Sequence, residues 1–265
     1  MRMCSIASGS SGNCIYIGDE DTHILIDAGI SRKAIETGLK ELELSGNDLD
    51  GIFITHEHSD HVKGLGVMAR KYHIPMYGTK ETIEAVKAIS SLGNIGEELF
   101  HPVAAEEELQ LKTLTVKPFK VSHDGANPVA YRVESGEKKA AVATDLGIYN
   151  DYTIEHLKGL DVILLEANHD IRMLQTCRYP YSLKQRILGK YGHLCNEMSG
   201  RLLDAILSDK MKRVFLGHLS NENNYPDLAY ESVRVEVNMS QSEYKAEDFH
   251  ISVAKRDSIS DCFEF

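Results

Sequence analysis

The stretch THEHSDH at residues 55–61 places three histidines and two carboxylates within seven positions. Such side chains are costly to bury unpaired, and a plain surface loop gains nothing from exposing them. The stretch follows the apolar run GIFIT (51–55) and precedes a helical pattern, so it reads as a strand-to-helix loop, free of the alternation of a strand. His56 and His58 can converge on one cation there, and Asp60 and His61, on the next turn, can reach a second. Nitrogen and oxygen donors without thiolate suit Zn²⁺, Mn²⁺ or Fe. A two-metal site needs more ligands than one loop supplies. Isolated donors at the ends of other predicted strands are His123 in VSHDG, Asp145 in ATDLG and His218 in LGHLS. His169 in EANHD is a rival to His218 or a partner behind a ligand; His218 is preferred because it directly ends a strand.

The elements that must position these groups follow from pattern. CSIAS (4–8), NCIYIG (13–18) and HILIDAG (23–29) read as short strands joined by turns, and GSSGN (9–13) as a hairpin turn near the cleft rather than a phosphate loop. Ser31 caps a helix over roughly 32–44, VKGLGVMARKY (62–72) reads as a helix, IPMYG as a strand, and Thr79 opens a further helix. LQLKTLTVKPFKV (109–121), PVAYRVES (128–135) and KAAVATD (139–145) are strands, followed by a helix near 152–158 and the strand VILLE. An irregular segment rich in Tyr, Pro and Arg leads to helices near 182–190 and 197–208, the strand RVFLG, a helix from Pro226 and a closing strand, FHISVAK. Strands in both halves with helices between them predict a layered α/β fold. We expect one domain over 1–255, without repeats, and a loose tail over 256–265.

Composition narrows the class. The chain has 265 residues, 42% apolar and 26% charged, ample for a core without a staple. Five cysteines, with no CxxC pair, argue for a reducing compartment, and with no signal peptide or spanning segment the expectation is cytoplasmic, with no membrane partner. A net charge of −11 counts against nucleic-acid binding by the surface as a whole. The exception is 171–201, where Arg172, Arg178, Lys184, Arg186, Lys190 and Arg201 face a single acid, Glu197. That patch reads either as a solvated helical surface or as a contact for nucleic acid.

HEHSDH, then SHDG, ATDLG and GHLS, in that order, resemble the metallo-β-lactamase-fold hydrolases over almost the whole chain, from Asp27 to His218. The resemblance implies a four-layer αββα sandwich with two divalent cations in a cleft at one edge. His56, His58 and His123 would hold the first, and Asp60, His61 and His218 the second, with Asp145 bridging. Asp27, in LIDAG, would orient a ligand histidine. Two dications outweigh the two ligand carboxylates, leaving the site at about +2 and selective for compact anions.

The superfamily hosts many reactions, so the fold does not name one. His193, in GHLCNEMSGRLL, precedes a helix that Asn196 could cap and lies 25 residues before His218. This resembles the tRNA-processing and phosphodiesterase branches, where such a histidine protonates the leaving alkoxide; the alternative is a polar residue at a helix start with no chemistry. SIASGSSGNC, EANHD, YPYSLKQRILGKYGHL and GHLSNENN resemble the WalJ/YycJ group of bacterial proteins, which implies 5′→3′ exonuclease action on double-stranded DNA, with DNA ahead of RNA. Cys195 departs from the serine expected there, which bears on activity only if that side chain contacts phosphate. The 72 residues between Asp145 and His218 leave no room for an inserted domain of about 100 residues. In the expected mechanism Asp60 orients the attacking water and His193 supplies the leaving-group proton. The competing readings are hydrolysis of a small phosphodiester, or of a thioester, lactone or β-lactam. The metal and the oligomeric state stay open.

Overall fold

The computed structural model describes residues 1–265. The first part of the chain forms β1 (Arg2–Ala7), β2 (Cys14–Gly18), β3 (His23–Ile26), α1 (Arg32–Glu41), β4 (Gly51–Phe53), α2 (Ser59–Val62), α3 (Leu65–Tyr72), β5 (Met76–Gly78), α4 (Lys80–Lys87) and β6 (Phe100–Pro102). The second part forms β7 (Leu109–Leu111), β8 (Leu114–Lys120), β9 (Val129–Ser135), β10 (Lys138–Ala143), α5 (Asp151–Leu157), β11 (Val162–Glu166), α6 (Ile171–Thr176), α7 (Tyr181–Leu188), α8 (Asn196–Ile206), β12 (Arg213–Gly217), α9 (Pro226–Met239), β13 (His250–Val253) and β14 (Phe263–Glu264). No helix is long and apolar enough to cross a membrane.

Two seven-stranded sheets result, ordered β14-β1-β2-β3-β4-β5-β6 and β13-β12-β11-β10-β9-β8-β7. Each has antiparallel pairs along one half and parallel pairs along the other: β3 to β6 are parallel in the first sheet, β10 to β13 in the second. The apolar runs are continuous because both faces of these strands are covered. In β3, Ile24 and Ile26 enter the core between the sheets, whereas Leu25 joins the cluster under α3. In β11, Val162 and Leu164 enter the same central core, and Ile163 and Leu165 pack under α8 and α9. Helices on both outer faces complete an αββα sandwich, the architecture that the family resemblance implied.

Leu164 is fully buried at the centre of the inter-sheet core. Leu164→Ala is expected to cost about 2–5 kcal/mol, because the β-strands around it cannot collapse into the cavity. Urea unfolding checks this: the midpoint should fall with an unchanged slope.

Several boundaries differ from the sequence reading for tertiary reasons. The helix expected over 62–72 is two, α2 and α3, split at Gly64, whose N–H donates to Ala28 O at 2.7 Å. A Cβ at Gly64 would lie 2.2 Å from Ile30 O, so this close approach requires glycine. The strand expected over 109–121 breaks into β7 and β8 at Lys112, which turns with φ of 48°. A short helix, α6, occupies part of the segment read as irregular. The final ten residues are not a loose tail: Phe263 pairs with Met3 and Glu264 with Arg2, adding β14 to the edge of the first sheet.

Candidate metal centre

The site lies where the C-terminal ends of β3, β4, β8, β10, β11 and β12 meet, the edge where α/β sheets place their ligands. Three of these strands end on non-glycine residues in the left-handed region: Asp27 (φ 62°), Asp145 (61°) and His218 (54°). Each costs about 1–3 kcal/mol, and such strain persists where surrounding structure enforces it. Hydrogen bonds do so here: Asp27 N–H donates to Phe53 O at 2.8 Å, and His218 N–H donates to Ser8 Oγ at 2.9 Å. After β4 the chain runs through His56 to His58, which precedes α2, the turn carrying Asp60 and His61. Gly29 lets this turn dock, since a Cβ there would lie 1.7 Å from Asp60 O.

The seven predicted ligands come together. Donor atoms of His56, His58 and His123 lie within 4.8 Å of one another, as do those of Asp60, His61 and His218, and those of His56, His61 and Asp145. Asp145 faces both halves: its Oδ1 is 3.5 Å from His123 Nε2, and its Oδ2 is 3.2 Å from His61 Nε2 and 3.0 Å from His218 Nδ1. Tautomers are set from behind. Asp27 Oδ2 accepts from His61 Nδ1 at 2.7 Å and Gly192 O accepts from His123 Nδ1 at 3.0 Å, so each ring turns its Nε2 lone pair into the site. Asp27 is itself fixed by Thr55, whose N–H and hydroxyl each donate to it at 2.8 Å.

The donor set fits cations. His56 Nε2, Asp145 Oδ2 and His218 Nδ1 are buried without a hydrogen-bond partner, the last two although 3.0 Å apart, because they are out of line for a bond. Each unpaired group costs about 1–3 kcal/mol, which a shared cation would offset. Electrostatics agree in sign. Burial pushes the His61 imidazolium down, yet Asp145, Asp27 and Asp60 outweigh it and raise its pKa well above the ordinary range. The pocket stabilises positive charge. Burial and the neighbouring His61 lower His56 well below its ordinary value, which keeps it a neutral donor.

A cleft of about 320 Å³ opens onto this cluster, lined by Ser10, Asp60, Asp145, Arg186, His193 and His218 among others. His193 Nδ1–H donates to Glu166 Oε1 at 2.8 Å, which leaves Nε2 free. Glu166 is fully buried, and its Oε2 accepts from Leu146 N at 2.8 Å and Leu194 N at 3.1 Å. Burial disfavours the imidazolium, but Glu166 outweighs that and lifts His193 to about 9. The sequence reading missed Glu166. Its only signal was an acid closing the apolar run VILLE. Also missed was Asp124, whose Oδ1 lies 3.3 Å from His123 Nε2 and 3.5 Å from His58 Nε2 while the carboxylate holds Arg186 in a two-pronged ion pair at 2.5 and 2.9 Å.

Other expectations need correction or resolve differently. His169 is in none of the converging groups; it is buried beside Asn168 Oδ1 at 3.3 Å, and burial lowers it to about 4. Helix α8 is capped at Cys195, not Asn196, because His169 and Cys195 form a β-bridge and His169 O accepts from Asn196 N at 3.0 Å. Cys195 is buried, does not line the cleft, and burial pushes its thiol up to about 11. Two of the basic residues of 171–201 spend their charge within the fold. Arg186 lines the cleft, but Lys184 donates to the carbonyls of Gln175 and Cys177, and Arg201 pairs with Glu236.

A family model described as the beta-lactamase superfamily domain matches residues 22–218. The chain is 41% identical to exodeoxyribonuclease YycJ of Bacillus anthracis over 86% of each chain. It is 39% identical to exodeoxyribonuclease WalJ of Streptococcus pneumoniae, over 85% of this chain and 84% of that one. Among solved structures, the metallo-β-lactamase fold protein YhfI from Bacillus subtilis superposes with a TM-score of 0.70 at 16% identity, covering 98% of both chains, a likeness of fold.

Proposed function

Because the chain belongs to the β-lactamase superfamily and is a WalJ/YycJ-like metal-dependent hydrolase, we propose that it is a dinuclear phosphodiesterase acting as a 5′→3′ exonuclease on double-stranded DNA. The single observation that carries the reading is the His193–Glu166 pair beside a cluster of seven metal-ligand side chains. A thioester expels a stable thiolate and makes no use of a histidine acid held at the cleft wall; departure of an alkoxide from phosphorus does.

His56, His58 and His123 would hold one divalent cation, Asp60, His61 and His218 a second, and Asp145 would bridge. Zn²⁺, Mn²⁺ or Fe bound there supplies Lewis acidity that lowers the pKa of water and neutralises phosphoryl oxygens. The protein does the rest. Asp60, which lines the cleft, orients the attacking water. Arg186, pre-positioned by Asp124, faces the entering phosphate as a fixed cation. His193, kept as the imidazolium by Glu166, gives its Nε2 proton to the departing oxygen, and the Nδ1–H bond to Glu166 fixes the direction in which the ring points. Asp27 keeps His61 turned toward the metal. Asp27→Asn is expected to weaken metal affinity about 10–100-fold, read by competition with a chromophoric chelator.

The test is direct. Metal-loaded protein is given end-labelled duplex, single-stranded DNA, RNA and bis(p-nitrophenyl) phosphate. Duplex DNA should shorten from its 5′ end, with affinity falling steeply as salt rises. Cleavage of a lactone or thioester but of no phosphodiester would contradict the proposal.

A further inference from the structure

A second groove, of about 660 Å³, opens beside the cleft. Its walls carry Tyr149, Tyr152, Tyr191 and Ile148, flanked by Lys120 and Lys190. Tyr191 is 54% exposed, Ile148 44% and Tyr152 37%, apolar surface that the fold leaves to water. The acid in the groove, Glu106, is already occupied: Tyr152 donates its hydroxyl to it, and His156 Nε2 and Lys117 Nζ lie at 3.0 and 3.5 Å. The remaining charge offered to a ligand is that of the two lysines. The Lys190 ammonium stands 5.3 Å from the centre of the Tyr191 ring, so cation and aromatic face are presented together.

The groove and the cleft have no lining residue in common, but the segments that form them are bonded to one another. Ser122 Oγ donates to Lys190 O at 2.8 Å, Gly147 N–H donates to Ser122 O at 2.7 Å, and His123 Nδ1–H donates to Gly192 O at 3.0 Å. A Cβ at Gly147 would lie 2.1 Å from Lys190 O, so these segments pack backbone to backbone. The segments that turn His123, Asp145 and His193 into the cleft therefore present Lys120, Tyr149 and Tyr191 to the groove. Tyr191 stands two residues before His193, the side from which a leaving oxygen is protonated.

We infer that this groove is a nucleobase subsite, in which the base of the departing nucleotide stacks on Tyr191 while Lys190 and Lys120 face its flanking phosphates; this rests on the phosphodiesterase reading. Aromatic faces accept any base, so the subsite is tolerant of sequence. It makes the enzyme prefer a base-bearing strand over a backbone alone.

Metal-free protein held in chelator binds without cutting, so affinity can be read by fluorescence anisotropy with a labelled oligothymidylate and with an abasic strand of equal length. Tyr191→Ala is expected to weaken the oligothymidylate about 5- to 100-fold, Tyr191→Phe to restore it, and Ile148→Ser to weaken it through an independent contact. The abasic strand should bind wild type weakly and lose nothing further in the variants. Unchanged oligothymidylate affinity in both Tyr191→Ala and Ile148→Ser overturns the inference, as does an equal loss for the abasic strand. Wild-type hydrolysis of bis(p-nitrophenyl) phosphate separates the two levels. If it occurs while the variants bind normally, the subsite alone fails; if no phosphodiester is cut, the functional reading fails and the subsite with it.

Discussion

His193→Ala should slow turnover by about 10²–10⁴ while leaving bound metal unchanged. The reason is geometric. His193 touches Asp145 Oδ1 only at 3.6 Å and is held through Nδ1 by Glu166 at 2.8 Å, so its removal takes a proton donor from the cleft wall without removing a proposed ligand. Metal analysis beside kcat separates this from a structural effect, and equal losses of metal and rate would contradict the acid role. The pH profile carries the sign. The acid works only when protonated, so His193 should give kcat a falling limb on the alkaline side, set higher than for an ordinary histidine because Glu166 favours the imidazolium. Glu166→Gln removes the main charge that raises this group, so the falling limb should move to lower pH. A leaving group that departs without proton help, such as p-nitrophenolate, should be far less sensitive to His193→Ala than DNA is.

Asp145→Asn should be the most damaging single change to the proposed centre. One carboxylate there lies 3.0–3.5 Å from donor nitrogens of His61, His123 and His218, groups belonging to both halves of the cluster. Without its charge the two halves lose their common ligand, and the repulsion between two dications is no longer offset. Metal content should drop from two per chain to one or none, with a rate loss of at least about 10²–10³. Both are read on the same sample, by elemental analysis and by bis(p-nitrophenyl) phosphate hydrolysis. Retention of two metals with full activity would remove Asp145 from the bridging position.

His123, Asp145 and His218 were legible because each follows an apolar strand, where a lone His or Asp has no packing role, and His56, His58, Asp60 and His61 because they crowd one loop and the turn after it. The alternation of strands and helices made a layered α/β fold legible, whereas the αββα arrangement followed only from the family resemblance; runs such as HILI and VILLE, apolar on both alternating faces, agree with sheets covered on both sides. Glu166 was hidden by the same rule, since an acid after four apolar residues looks like a strand end rather than the holder of a histidine 27 positions later. The Asp124–Arg186 pair spans 62 residues and has no local signature. Likewise, the break at Gly64 and the start of α8 at Cys195 are set by Ala28 O and by the bridge to His169, contacts that no short window contains. The final Phe-Glu-Phe is too short to announce a strand; it becomes one because β1 leaves an open edge for it. Within the basic run of 171–201, sequence proximity said nothing of where Lys184 and Arg201 would spend their charges.

The most direct test of the paired-cation phosphodiesterase is a stoichiometric titration. Metal-free protein receives Mn²⁺ in sub-equivalent steps while bis(p-nitrophenyl) phosphate hydrolysis is followed. The account predicts that activity climbs to a plateau at two equivalents per chain. Full activity at one equivalent, or none at any loading, would contradict it.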